Sequence, residues 1–241
     1  RMVENKPLVF LKKDSGILSY IVQINSRSYR PNGMQQVLNV KIRKDGLLTI
    51  RVPILNEVNV FALFRALGIQ SDRDIIRLIV SDDSDTDMID IIRISLDSCK
   101  NETQQKIQTE EEAFDFLINK LKVIRKYTET DKDIKIQQKK LHLRSLLNTS
   151  FIPHIEGSLK EKAYFLGYMI YKLLNVYMGR TQVDDRDSYV NKRVELPGDL
   201  LFELFKQRFK IMMSDCNKFF TRNDNDEKPI NIINQIKPNT I

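Results

Sequence analysis

Asp184-Asp185-Arg186-Asp187-Ser188-Tyr189-Val190-Asn191-Lys192-Arg193, followed by Leu196-Pro197-Gly198-Asp199-Leu200-Leu201, is the most informative stretch of this 241-residue chain. Nearly every side chain in the block carries charge or can hydrogen-bond. Such density before an apolar run predicts a polar loop that hands its chain to a helix near Pro197, where proline's fixed φ and missing N–H do no harm. The residues leave three readings open. The acids and the guanidinium can satisfy one another and fix the loop. Arg186, Asn191, Lys192 and Arg193 can face phosphates without reading base sequence. Asp184, Asp185 and Asp187 can ligate a metal in a stand-alone phosphoryl-transfer enzyme. For that third reading, no histidine, phosphate-cradling glycine loop or other acidic cluster has sequence support as a partner.

Composition narrows the classes. An apolar fraction of 41% with 29% charged residues and no tryptophan predicts a soluble globular chain with one large domain or two small ones. Arg65 interrupts the densest apolar run, Val58 to Leu67, and the N-terminus lacks the pattern of a secretory signal. An intracellular protein with no membrane partner is expected. Cys99 and Cys216 are the only cysteines and His142 and His154 the only histidines, so a disulfide framework or structural zinc is not expected, and each thiol reads as buried and inert. The net charge of +7 is compatible with a nucleic-acid partner and does not establish one. With Arg1 at the start and Ile241 at the end, the chain reads as a piece of a longer protein.

Along the chain, Leu8 to Leu11, Ile17 to Ile24, Val37 to Ile42 and Leu47 to Val52 have strand-like patterning, with a hairpin reversal at Lys44-Asp45-Gly46. The period then lengthens. Val60, Leu63, Phe64 and Leu67 share a helical face closed by Gly68, and Ser71-x-x-Asp74 is expected to cap a helix through Val80. Asp82, Asp83, Asp85, Asp87 and Asp90 lack the glycine and glutamate of a calcium loop and read as a solvated helix start. Thr109-x-x-Glu112 predicts a capping box and a helix through Tyr127, with Phe114, Leu117, Ile118, Leu121 and Ile124 at core spacing.

A further helix over 133–147 carries Lys135, Lys139, Lys140 and Arg144, which with Lys120, Lys122, Arg125 and Lys126 make the most basic stretch. It reads as a solvated helical hairpin or as a phosphate-attracting surface. Phe151-Ile152-Pro153-His154-Ile155 reads as an extended link before the helix capped by Ser158-x-x-Glu161, whose Tyr164, Phe165, Tyr168, Tyr171 and Tyr177 read as core packing with their hydroxyls at its edge, ahead of a stacking platform for single strands, which more often accompanies a sheet face or groove. Gly179 ends that helix. A final helix over 199–220 presents Leu200, Leu201, Leu204, Phe205, Phe209, Met212 and Met213, and residues 221–241 read as loop and extended chain.

The Asp184–Arg193 block resembles the D-D-R-D-x-Y-x-N-K-R motif of the second-largest subunit of multisubunit DNA-directed RNA polymerases of the eukaryotic, archaeal and large-DNA-virus type. Phe64-Arg65-Ala66-Leu67-Gly68-Ile69 with Ser71-Asp72-Arg73-Asp74-Ile75, Phe151-Ile152-Pro153-His154-Ile155 and Lys162-Ala163-Tyr164-Phe165-Leu166-Gly167-Tyr168-Met169 match it in the same order. The resemblance implies an α+β fold: antiparallel strands and then a mostly helical region, the lobe, at 1–178, and a return segment into the protrusion at 179–241, a helix with an extended tail. It implies a place on one side of the DNA cleft and a share in DNA-templated RNA synthesis. The partners implied are the largest subunit, smaller subunits, initiation factors, the DNA template and the RNA–DNA hybrid. The nucleotidyltransferase as a whole would use magnesium and zinc held elsewhere. No catalytic, cofactor or metal residues are expected here, and the fragment alone is expected to be inactive.

Arg186, Asn191, Lys192 and Arg193 are the expected nucleic-acid contacts. Ser188 and Val190 depart from the His and Gly of many cellular relatives, which points towards a large-DNA-virus or otherwise divergent polymerase. The implied location is the nucleus for a eukaryotic source, and host cytoplasm or virion for a viral one. The alternative function is a stand-alone basic nucleic-acid-binding module.

Overall fold

The β-branched runs before Val52 form the strands that the alternation predicts. In the computed structural model, which describes residues 2–14, 17–28, 35–52, 55–80, 82, 84–100, 106–121 and 132–223, β2 (Leu8–Asp14), β3 (Ile17–Ser26), β4 (Gln36–Ile42), β5 (Leu48–Arg51) and β6 (Val58–Asn59) make one sheet in sequence order. Every neighbouring pair is antiparallel, with Leu8 opposite Gln23, Ser26 opposite Gln36, Ile42 opposite Leu48 and Ile50 opposite Val58. Period two then does the sorting: Leu38, Val40, Ile42, Leu48 and Ile50 are buried, while Asn39, Lys41 and Arg51 lie on the other face. The reversal is where it is expected, with Gly46 at φ 76° and its N–H donating to the Arg43 carbonyl at 3.0 Å. Ser95 pins this hairpin by donating to the Gly46 carbonyl and accepting the Leu48 N–H.

Helices cover the sheet. They are α1 (Val60–Ala66), α2 (Asp72–Ile79), α3 (Thr86–Asp97), α4 (Glu110–Asn119), α5 (Lys132–Thr149) and α6 (Leu159–Tyr177). All seven residues of α1 are buried, as a helix apolar on nearly every side requires. Its one charge, Arg65, forms an ion pair with Asp72 of α2 at 2.5 Å, so two of the sequence motifs meet. Both α1 and α6 end with glycine in the left-handed region, Gly68 at φ 94° and Gly179 at φ 74°, and both close with the paired reverse bonds that satisfy terminal carbonyls. Gly167 lets α6 touch α2: a Cβ there would stand 2.5 Å from the Leu78 carbonyl oxygen.

Several expectations need correction. The α4 helix ends at Asn119, short of Tyr127, because the next residues are captured: the Asn56 N–H donates to the Lys120 carbonyl and Leu121 bridges to Leu55. Ile124 and the basic residues Lys122, Arg125 and Lys126 lie outside the described residues. Ser71 takes the N-cap position of α2 without a side-chain bond, whereas the boxes of Thr109–Glu112 and Ser158–Glu161 are complete. Phe151 to Ile155 is a buried turn and not an extended link, with Ile152 at φ 46° and only 1% exposed.

Lys162 accounts for that turn. Its Nζ donates to the carbonyls of Leu147, Asn148 and Phe151 at 3.0, 2.6 and 2.6 Å, closing the C-terminus of α5 from beneath. Burial pushes the ammonium down to about 8, so it stays charged at neutral pH. The aromatic expectation for α6 also fails in part: Tyr164, Tyr168 and Tyr177 are exposed, and Ala163, Leu166, Met169, Ile170, Leu173 and Leu174 fill the core. The apolar residues outnumber the space on one face, and the tyrosines, with a polar tip, take the wet side. Cys99 is buried, which pushes its thiol up, and Cys216 is half-buried.

The chain divides into two units, Glu4–Lys192 and Arg1–Val3 with Arg193–Ile241. The junction of Met178 and Gly179 lies inside the first. Outside the main sheet, β1 (Met2–Glu4) pairs with β7 (Lys192–Val194). The second unit contains α7 (Pro197–Asn223), which starts at the proline expected to open it and ends three residues past the expected 199–220 span. Leu201, Phe202, Leu204, Phe205, Phe209, Ile211 and Met213 on it are exposed, and Met212 is buried. Residues 224–241 lie outside the described residues.

Candidate nucleic-acid interface

The Asp184–Arg193 block follows the glycine cap of α6 and returns to the edge of the sheet. Asp184 fixes the landing point. Its N–H donates to the Val9 carbonyl at 2.8 Å, and its Oδ2 accepts the Val9 N–H at 2.8 Å. The same oxygen accepts Lys172 Nζ at 2.7 Å, and Lys172 donates as well to the Pro7 carbonyl at 2.7 Å. Sequence reasoning had no signal for Lys172, which is an ordinary helical lysine until its partner is known.

Past Asp184 the acids hold the turn. Asp185 Oδ1 accepts the Asp187 N–H at 2.9 Å, an Asx turn of the sort short carboxylates make locally. Asn191 is buried and spends its amide inside the loop, donating to the Asp185 carbonyl at 2.7 Å. Its own carbonyl accepts the Asn5 N–H at 3.1 Å, while its N–H closes the one-turn helix Tyr189–Asn191 on Ser188. Of the four expected contacts, Asn191 thus faces the loop.

The cations differ in how they are held. Arg186 is half-exposed, with Nε 3.3 Å from Glu4 Oε1 and its guanidinium carbon 5.1 Å from the centre of the Phe10 ring. Glu4 is itself buried and accepts from Gln23 and Asn25, so it forms the floor beneath Arg186. Lys192 reaches Asp187 at 3.9 Å, a long contact with a carboxylate almost wholly in solvent. Arg193 belongs to the second unit and lies 4.0 Å from Glu195. The Lys192 pair is screened through its exposed acid, whereas Glu4 and Glu195 beneath Arg186 and Arg193 are themselves buried.

Two basic residues of α5 face acids of α4. Lys140 pairs with Asp115 at 2.7 Å and Arg144 with Glu110 at 3.2 Å, both on α4, and Arg144 stacks over Phe114. Lys135 lies among residues whose side chains are not described. Asp85 likewise caps α3 and pairs with Arg180, which holds its carboxyl below the usual range. Among the described residues, no three His, Cys, Asp or Glu side chains are gathered as metal ligands. Asp184 and Asp185 are engaged with the edge of β2, with Lys172 and with their own turn.

The order of these motifs on one fold agrees with the comparison of the whole sequence. Residues 4–195 match the family described as RNA polymerase Rpb2, domain 2. The chain belongs to that family. Rpb2 domain 2 here extends over the first unit and just past its last residue. Over its full length the chain is 36% identical to DNA-directed RNA polymerase subunit 2 of Acanthamoeba polyphaga mimivirus, covering 21% of that protein. It is 31% identical over its full length to the RNA polymerase II subunit RPB2 of Eremothecium gossypii, covering 19%. With subunit Rpo2 of Saccharolobus solfataricus it shares 29% identity over 89% of the chain and 18% of the relative. The chain therefore spans about a fifth of the length of the curated relatives it matches.

Proposed function

We propose that this chain is the lobe and part of the protrusion of the second subunit of a DNA-directed RNA polymerase, forming one side of the DNA cleft and docking the largest subunit, smaller subunits and initiation factors. Its share in RNA synthesis is to guide nucleic acid, and nucleotidyl transfer with its magnesium, like structural zinc, belongs to other parts of the parent assembly. The observation that carries this reading is the family match over 4–195 together with full-length similarity to viral and eukaryotic second subunits. Location follows the source: the nucleus in a eukaryotic cell, or host cytoplasm or virion for a virus.

Arg186, Lys192 and Arg193 contact phosphates, and Asn191 supports them from within the loop. The exposure of the cations supports this: Lys192 reaches its acid only at 3.9 Å, and the half-exposed Arg186 and Arg193 each touch a buried carboxylate at 3.3 and 4.0 Å with guanidinium donors left over that phosphate can share. A stand-alone basic module is less well supported, since the family match covers residues 4–195 and Lys140 and Arg144 of the most basic helix each face an acid of α4. The test is Lys192→Ala with Arg193→Ala in the assembled polymerase. Removing these two cations from their phosphates lowers the salt slope of elongation-complex stability by about two and shortens its half-life about twentyfold at about 0.2 M salt. An unchanged half-life across salt refutes the contact. Tight, steeply salt-dependent DNA binding by the isolated chain would favour the stand-alone module instead.

A further inference from the structure

We infer that Lys172 and Asp184 are positioning residues that latch the cationic block to the sheet edge, an inference that rests on the phosphate contact proposed above. One carboxylate oxygen does two jobs. Asp184 pairs with Val9 as a neighbouring strand would, its N–H to the Val9 carbonyl and its Oδ2 in place of a strand carbonyl for the Val9 N–H. β2 is the edge of the five-stranded sheet, so this residue occupies an otherwise open ladder position. Lys172 then ties the same oxygen and the Pro7 carbonyl to α6, so sheet, helix and loop meet at one ammonium.

The path from latch to cations is short and made of named bonds. Asp185 turns the chain onto Asp187, Asn191 grips the Asp185 carbonyl, and Lys192 follows Asn191 directly. Arg186, two residues past Asp184, lies against Glu4 and Phe10. Without the latch, Arg186 and Lys192 keep their charge and lose their fixed place. The side chains of Lys172 and Asp184 are about a quarter and a fifth exposed, so the pair is shielded from salt far better than Lys192 with its solvent-exposed partner Asp187.

Charge sign separates positioning from plain electrostatics. Asp184→Asn removes a negative charge beside the block, so a diffuse field alone would bind nucleic acid as tightly or more tightly. The latch gives the opposite result, because a neutral amide loses the lysine while it can still accept the Val9 N–H. In polymerase assembled with a full-length second subunit, Asp184→Asn and Lys172→Met each shorten the half-life of elongation complexes at about 0.2 M salt. The shortening is about fourfold for each phosphate that the displaced block no longer reaches, and the salt slope falls by about one for each. Lys172→Arg restores most of both.

Adding Lys192→Ala and Arg193→Ala to Asp184→Asn yields less than the product of the separate effects, because the Lys192–phosphate interaction can be removed only once. A longer half-life in Asp184→Asn overturns the latch, and so does an unchanged one where Lys192→Ala with Arg193→Ala shortens it. If Lys192→Ala with Arg193→Ala changes nothing, the contact reading falls first and the latch with it. Should Lys172→Met fail to assemble, the near-isosteric Asp184→Asn decides alone.

Discussion

Gly167→Ala tests the packing on which the larger unit depends. In an exposed helix, this change stabilises by about 1 kcal/mol, because glycine loses more backbone freedom. Here the new methyl would stand 2.5 Å from the Leu78 carbonyl oxygen and 3.0 Å from its carbon. The obstruction is backbone, so no side-chain rotation relieves it, and α2 must withdraw from α6 by most of an ångström. Overpacking of this kind costs about 1–3 kcal/mol, and displacement along the whole α2–α6 seam places it at the upper end. After the helix gain is subtracted, the net loss is about 2 kcal/mol. For a unit of this size that lowers Tm by about 4–8 °C. Thermal unfolding followed by circular dichroism measures it, with Gly198→Ala as the control, since nothing lies within 4 Å of a Cβ there. A Tm for Gly167→Ala equal to or above the wild type refutes the reasoning.

Glu57 gives the pH dependence. Burial opposes its charge, but hydrogen bonds from Lys41, Thr49 and Arg43 hold its carboxyl at about 2 against an ordinary 4.5. The folded value is the lower one, so its stabilisation is full above pH 4.5 and fades as pH falls towards 2. Denaturant titrations of wild type and Glu57→Gln should show their stability gap closing across that window, and a constant gap contradicts it. Lys162→Met leaves two carbonyls at the end of α5 and that of Phe151 just beyond it without this donor and should cost about 1–3 kcal/mol in the same assay, even after the ammonium's burial cost is relieved. A neutral result would mean that relief outweighs the missing bonds. Ser158→Ala should cost about 1 kcal/mol and Ser71→Ala only a few tenths, since only the former makes its cap bond, and equal losses would contradict that distinction.

Residue order alone dictates what depends on neighbours along the chain. Strand alternation, the Gly46 reversal, the two complete capping boxes and the glycine helix ends are local rules, obeyed within a few residues, and each is present. The family was legible for a related reason, because its motifs are ordered strings of residues. Tertiary structure decided everything that needed a distant partner. Pro7, Val9 and Lys172 give Asp184 its role, Leu147, Asn148 and Phe151 give Lys162 its role, and no spacing rule connects positions so far apart. Even the charges of Lys140 and Arg144 changed meaning once α4 supplied acids to meet them. A side chain's type fixes which bonds it can make, but the fold brings partners within about 3 Å, and only then does a carboxylate become a ligand, a cap or a latch.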